Sequence, residues 1–324
     1  MRVGIDIAPL AQTRAGTARH VRGLLGELGG RADLELVGLS AGASGGRVAS
    51  FRRDALWYPF RLAAISHELD VLHCTTYRAP LRPRAPLVVT VHDLAVLRHP
   101  EAFPRWHRSS GRVALRAAMR VADAVVAVSG FTRDELVALL DVPVERIRVV
   151  PNGVDPVFTP DGPRAEGDYV LAVGTLEPRK NLGAAVEAAR LAGVELRVAG
   201  AAGWGGVTTG SWIGEPDDAE LASLMRGARC LVYPSLYEGF GVPIVEAMAC
   251  GTPVVTSRGG ATEEVSGGAA VLVDPRDPAS VAEGIAEASR RREELSSAGR
   301  ARAAEFTWRR SADLVESLWR ELAT

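Results

Sequence analysis

Two short segments carry residue types that could do chemistry on a charged, hydroxylated ligand. Residues 235–251, SLYEGFGVPIVEAMACG, follow a strand-like run ending at Tyr233. The pattern predicts a glycine-rich turn and a helix starting near Val242, with Pro243 in its first turn, where a missing N–H costs nothing. Gly239, Phe240, Gly241 and Val242 then stand at a helix N-terminus, whose free N–H groups and dipole attract phosphate. Glu238 falls at the lip of that turn and Glu246 about one helical turn inside the helix. A carboxylate accepts hydrogen bonds from two hydroxyls at once, so Glu246 suits a ribose diol and Glu238 a sugar ring. The alternatives are a solvated turn residue for Glu238 and a surface helix position for Glu246.

The second segment, residues 174–182, reads GTLEPRKNL. It places Thr175, Arg179 and Lys180 in a strand-to-helix loop at the carboxyl edge of a sheet, where open α/β sheets bind ligands. Two adjacent cations there can neutralise a diphosphate leaving group as its charge develops, without a bound metal. A solvated basic pair near a helix start is the electrostatically poorer alternative. Lys180 is the single lysine among 38 basic residues. In a chain that otherwise uses arginine, a compact and mobile ammonium marks that position for a purpose a planar guanidinium serves less well.

Three further features are weaker signals. A strand-like VVTVHD ends in His92 and Asp93, and a histidine there reaches a ligand edge or serves the structure. In QTRAGTARH, Gly16 and Thr17 open a helix whose N–H groups could meet phosphate or acceptor. No GxGxxG order is present in the chain, which disfavours a nicotinamide or flavin enzyme. Arg108, Arg112, Arg116 and Arg120 recur every four residues behind Trp106, which fits either a solvated helix face or a contact with anionic headgroups or a lipid-linked phosphate.

The elements that position these residues follow from alternation. Strand-like runs at 3–10, 34–39, 71–74, 87–91, 124–128 and 147–150 alternate with helix-period segments such as 21–28 and 105–120, which argues for βαβ units and parallel sheets. A proline-rich passage without periodicity, 151–168, reads as a linker. The alternation restarts with runs at 169–173, 194–199, 230–233, 254–256 and 270–273. The expected division is 1–160, 161–305 and a terminal helix over 306–324. In that helix Trp308, Ala312, Val315, Trp319 and Leu322 form one apolar stripe, for which the first domain is the candidate partner. Thr132 with Glu135 has the pattern of a capping box, and a short glycine-serine loop covers 41–46.

Composition sets the outer bounds. With 324 residues, 47% apolar and 24% charged, the chain can bury two ordinary cores. A net charge of −1 supplies no field for a polyanion, which excludes nucleic acid as a natural partner. Cys74, Cys230 and Cys250 lack the spacing of a zinc site or disulfide framework and read as reduced core residues of a cytosolic protein. No secretory h-region and no spanning apolar run is present, so a membrane would be met only from its surface.

EGFGVPIVE, with Glu238 and Glu246, resembles the glutamate-pair motif of retaining GT-B glycosyltransferases of family 4. GTLEPRKNL, VVPNGVD and VVTVHDL stand where that family carries its diphosphate-binding, linker and histidine segments, so the resemblance covers nearly the whole chain. It implies an α/β GT-B fold of two Rossmann-like domains facing across a cleft, a nucleotide-sugar donor, retention at the anomeric carbon, and no metal or other cofactor. Carried over by position, the catalytic set is His92, Glu238, Arg179 and Lys180. Arg179 and Lys180 would bind the diphosphate, Glu246 the ribose, Glu238 the donor sugar and His92 that sugar from the facing domain. Gly16, Thr175, Gly239, Phe240, Gly241 and Val242 would complete the donor side.

The resemblance also implies same-face attack through an ion pair, with the leaving phosphate as base. TLEPRKN, and HDL followed by Phe103 and Pro104, resemble mannosyltransferases, so GDP-mannose is the first donor expected, with UDP- and dTDP-sugars open. A glycan or lipid-linked acceptor, as in cell-envelope polysaccharide synthesis, and a cytoplasmic protein peripheral to the inner face of the membrane complete the expectation. The rivals are a nucleotide-sugar epimerase of the same fold, for which no second acid or base is placed, and a silent nucleotide-sugar-binding scaffold, opposed by the joint presence of the five site residues.

Overall fold

In a computed structural model of the chain, residues 1–12, 16–41, 53–103, 105–203 and 211–324 are described, apart from the side chains of 53–55 and 105–107. Trp106, Pro104, most of the 41–46 loop and part of QTRAGTARH therefore lie outside the described groups. The chain forms two compact units, Met1–Gly153 with Trp308–Thr324, and Val154–Thr307. The passage expected as a linker is divided. From Val154 it belongs to the second unit, where Phe158 is buried and Arg226 donates to the carbonyls of Thr159 and Pro163 at 3.1 and 2.7 Å.

Unit 1 is built on strands β1 (Arg2–Asp6), β2 (Glu35–Leu39), β3 (Val71–Cys74), β4 (Leu87–Val91), β5 (Ala124–Ala127) and β6 (Ile147–Val149), all parallel, in the order β2-β1-β3-β4-β5-β6. Every residue of β3, β4 and β5 is buried, as expected of strands covered on both faces. The first strand is shorter than its apolar run. Asp6 ends it because its carboxylate accepts the Ala8 N–H at 3.0 Å and opens helix α1 (Ala8–Gln12). This unit also holds α2 (Gly16–Leu28), α3 (Leu62–Ile65), α4 (Ala95–Arg98), α5 (Arg105–Val121) and α6 (Gly130–Leu140), with a wider π-helical stretch over Arg53–Arg61.

The cap of α6 lies three residues before the expected one. Ser129 accepts the Thr132 N–H at 3.0 Å, and Glu135 is gripped by Arg98 through contacts of 2.7 and 2.5 Å.

The terminal helix, Trp308–Leu322, packs on α2 within unit 1. Ala312, Val315 and Trp319 of its stripe are fully buried among Val3, Ile5, Leu24 and Leu28. Trp308 lies so close to α2 that a Cβ on Gly23 would stand 2.1 Å from its ring. Ion pairs of Arg31 with Glu316, Arg320 with Asp33, and Arg148 with Glu321 line its edges.

Unit 2 alternates strand and helix as far as β11 and ends in two helices: β7 (Tyr169–Val173), a 3-10 turn (Pro178–Lys180), α7 (Leu182–Ala192), β8 (Glu195–Ala199), α8 (Asp218–Gly227), β9 (Leu231–Tyr233), α9 (Val242–Ala249), β10 (Val254–Ser257), α10 (Gly260–Ser266), β11 (Val271–Val273), α11 (Pro278–Arg290) and α12 (Arg292–Ala303). Its parallel sheet has the order β11-β10-β9-β7-β8. The chain runs from β7 outward to β8, then returns across β7 to start β9. The order therefore reverses between β7 and β9, and the loops leaving these neighbours open the crevice that such reversals create at the carboxyl edge of a sheet. The three cysteines are buried free thiols.

Candidate active site

The loops after β7 and β9 are stitched together by backbone. The Leu236 N–H donates to the Arg179 carbonyl at 2.9 Å, and the Asn181 side-chain amide donates to the Pro234 and Pro275 carbonyls at 3.1 and 2.6 Å. Asn181 has a left-handed φ of 53°, a conformation asparagine tolerates better than most residues. That kink ends the 3-10 turn and starts α7, so Arg179 and Lys180 are presented from the last turn before a helix. Gly241, at φ 95°, does the equivalent for α9, where only glycine adopts that angle without strain.

Between these loops Glu238 meets both cations. Its Oε1 accepts from Lys180 Nζ at 2.6 Å and from the Tyr233 hydroxyl at 2.8 Å, and its Oε2 accepts from Arg179 Nη1 at 3.0 Å. Lys180 also donates to the Tyr233 hydroxyl at 2.9 Å, and Arg179 pairs with Glu177 at 2.7 Å. All four charged side chains are at least 87% withdrawn from solvent, with exposures of 5–13%.

Burial by itself would push the Glu238 carboxyl up. The adjacent Lys180 and Arg179 charges more than offset that and hold it at about 2. Burial would likewise lower Lys180, but Glu238 raises it well above the ordinary lysine range. Lys180 is thus a fixed positive charge that does not exchange its proton near neutrality. Burial and the Glu238 charge push the Tyr233 phenol up to about 12, so it remains a neutral donor. The cluster is an electrostatic device with little capacity for proton transfer.

Glu246 sits on α9 and is buried, which removes the surface-helix alternative. Thr175 is partly exposed in the loop after β7. The Phe240 ring is buried edge-on against Phe306, 5.5 Å between centroids, so the side chain anchors the turn. Only its backbone remains to face a ligand. Tyr233, Glu177 and Asn181 were not singled out from sequence, although a tyrosine closing a strand five residues before Glu238 lies on the same ligand edge.

In unit 1, His92 follows β4 and its Nε2 donates to the Thr75 carbonyl at 2.9 Å. A carbonyl only accepts, so Nδ1 keeps its lone pair. Burial lowers the His92 pKa below the ordinary histidine value, and the ring is neutral near pH 7. Thr75 in turn donates from its hydroxyl to the Asp6 carbonyl at 2.7 Å, and the Asp6 carboxylate accepts from Tyr58 at 3.0 Å. The His20 ring stands edge-on to His92, 4.9 Å between centroids. Gly16 begins α2.

The arginine series divides. Arg108 donates to the Phe103 carbonyl at 2.7 Å and Arg112 to the Val96 carbonyl at 3.3 Å. These two tie α5 to the segment before it, and only Arg116 and Arg120 of the four are exposed. Among the described residues no group of three or more His, Cys, Asp or Glu could hold a metal ion, and no helix is long and apolar enough to cross a membrane.

The two halves of the chain match two family models, Glycosyltransferase Family 4 over residues 15–158 and Glycosyl transferases group 1 over residues 158–304. A D-inositol 3-phosphate glycosyltransferase of Geodermatophilus obscurus is 30% identical across 96% of this chain and 77% of its own length. The chain belongs to glycosyltransferase family 4. O-antigen chain mannosyltransferase B of Escherichia coli is 32% identical across 68% of this glycosyltransferase and 66% of the relative. An MMP alpha-(1->4)-mannosyltransferase of Mycolicibacterium hassiacum is 34% identical across 69% and 62%. The matches thus span about two thirds of these mannosyltransferases. Sucrose-phosphate synthase of Thermosynechococcus elongatus has the same fold, with a TM-score of 0.81, 20% identity and 99% of both chains covered. Anabaena HepE in complex with UDP and glucose does too, at 0.75, 20% and 99%. The fold is the GT-B arrangement of two Rossmann-like units.

Proposed function

We propose that this glycosyltransferase moves a hexose from a nucleotide-sugar to a hydroxyl of a glycan or lipid-linked acceptor, with retention at the anomeric carbon. The observation that carries the reading is the pair Arg179 and Lys180, buried, permanently charged and held by Glu238 at the strand-order reversal of unit 2. A diphosphate brings the negative charge that this pair can accept in place of, or beside, the glutamate. Glu246 then receives the ribose diol, Glu238 the sugar hydroxyls, and the lone pair of His92 Nδ1 accepts from a hydroxyl of the transferred sugar. Gly16, Thr175 and the 239–242 turn supply N–H groups.

In the reaction the C1–O bond to the diphosphate breaks and its electron pair stays on the phosphate oxygen. The acceptor oxygen bonds to C1 on the same face and its proton passes to that phosphate oxygen. Arg179 and Lys180 stabilise the developing charge without giving up a proton, which is preorganised electrostatic catalysis. GDP-mannose is the first donor proposed, supported by the two mannosyltransferase relatives. The UDP in the HepE complex keeps UDP-sugars in the comparison.

The test is nucleotide release from GDP-, UDP-, dTDP- and ADP-sugars, with and without a chelator, by the native chain and Lys180→Ala. Chelator-resistant release of one nucleotide, lost in the variant, is expected. Equal release by both proteins, or release abolished by chelator, would overturn the assignment.

A further inference from the structure

The outer face of residues 56–84 in unit 1 runs against the usual partition of side chains. Along 56–62 the inward positions are filled normally, with Tyr58 and Leu62 buried and Trp57 packed beside them. The outward positions are apolar as well: Leu56 is 53% and Phe60 62% exposed. Leu81, 47% exposed, joins them because its N–H donates to the Pro59 carbonyl at 3.4 Å, which lays residues 78–84 alongside Phe60. Arg61, Arg82 and Arg84, next to or near Phe60 and Leu81 in sequence, are exposed. No aspartate or glutamate occurs at 55–67 or 71–92; between these stretches Glu68 pairs with Arg2 and Asp70 accepts the Arg2 N–H.

We propose that this ledge docks unit 1 on an anionic lipid bilayer, with Leu56, Phe60 and Leu81 entering the headgroup boundary and the arginines meeting lipid phosphates. Large exposed apolar side chains with exposed arginines beside them in sequence match an interface that is greasy beneath and negatively charged on top. A second copy of the chain is a poor occupant, since a twofold contact through this face would oppose arginine to arginine. The ledge replaces the α5 series as the membrane-facing element, because two arginines of that helix are spent on carbonyls. The biological sense of the contact rests on the lipid-linked acceptor reading, but its test does not.

The experiment is cosedimentation of the full chain with phosphatidylcholine vesicles, with and without phosphatidylglycerol, at low and high salt. The native chain should bind only the anionic vesicles and be released by salt. Each arginine near such a surface is worth about fivefold in partition, so Arg82→Gln with Arg84→Gln should weaken binding roughly 25-fold. Phe60→Ser with Leu81→Ser should weaken it at least about tenfold. Arg116→Gln with Arg120→Gln should leave it unchanged, and all variants should keep native circular dichroism and nucleotide release. Absence of native binding to anionic vesicles at low salt would overturn the proposal, as would equal binding to neutral ones. So would loss in the α5 pair alone, or concentration-dependent dimerisation abolished by the ledge substitutions.

Discussion

Glu238→Gln separates a buried ion pair from a merely buried carboxyl, and pH makes the separation quantitative. In the folded chain the Glu238 carboxyl is held at about 2, against an ordinary value of 4.5. A depressed folded pKa means that the charged form binds the native state better. The contribution is therefore complete above the unfolded pKa and is lost as pH falls toward the folded one. The difference corresponds to about 3 kcal/mol, of which roughly two-fifths should be gone by about pH 3.5 and most of the rest by about pH 2. Substitution by glutamine also removes the countercharge of Lys180 and one of the two partners of Arg179, but that cost is present at every pH and cancels in the comparison. The assay is denaturant unfolding of native and variant from neutral pH downward. Their stability difference should shrink by about 1 kcal/mol between pH 7 and about 3.5. A difference independent of pH over that range would refute the ion-paired carboxylate and with it the fixed charge assigned to Lys180.

The same variant should change ligand affinity with opposite signs. A free nucleoside diphosphate should bind Glu238→Gln at least as tightly as the native chain, because the competing carboxylate is gone, whereas the nucleotide-sugar should bind it more weakly; calorimetric titration of both ligands reads this directly. Gly23→Ala in α2 should lower the melting temperature although alanine favours a helix by about 1 kcal/mol, because its Cβ would stand 2.1 Å from the Trp308 ring and overpacking costs about 1–3 kcal/mol. Burial also lowers His20, His73 to about 3, and His92. Unfolding would release these rings to bind protons near pH 6.5, so unit 1 should lose stability progressively as pH falls below that value; NMR signals of His20, His73 and His92 that titrate at the ordinary value in the folded chain would contradict this.

Much of the fold was legible because it is written in period and punctuation. The alternation of β-branched runs with helical segments marks both sheets, and the stripe from Trp308 to Trp319 marks a helix that must be covered. Boundaries were less legible where a polar side chain decides them. Asp6 halts a strand that hydrophobicity alone would extend, and Ser129 caps a helix three residues before the pattern suggests. At the site, motif spacing brought out Arg179, Lys180, Glu238 and Glu246. It did not reveal that the first three form one ion cluster, because the contact joins loops about sixty residues apart and depends on the strand order β9-β7. Tyr233 and Asn181 were hidden for the same reason. The arginine series shows the converse: four residues in helical register share a stripe, yet local carbonyls claim two of them, and no periodicity records that.

The central claim is that Lys180 and Arg179 are the seat of a diphosphate. It is tested most directly by titrating GDP and UDP, and the corresponding nucleosides, into the native chain and into Lys180→Met. A charge-assisted hydrogen bond lost from a buried site costs about 1.5–3 kcal/mol. The account predicts that the preferred diphosphate binds the variant at least about tenfold more weakly, while nucleoside affinity is unchanged. Equal diphosphate affinity in the two proteins would contradict it.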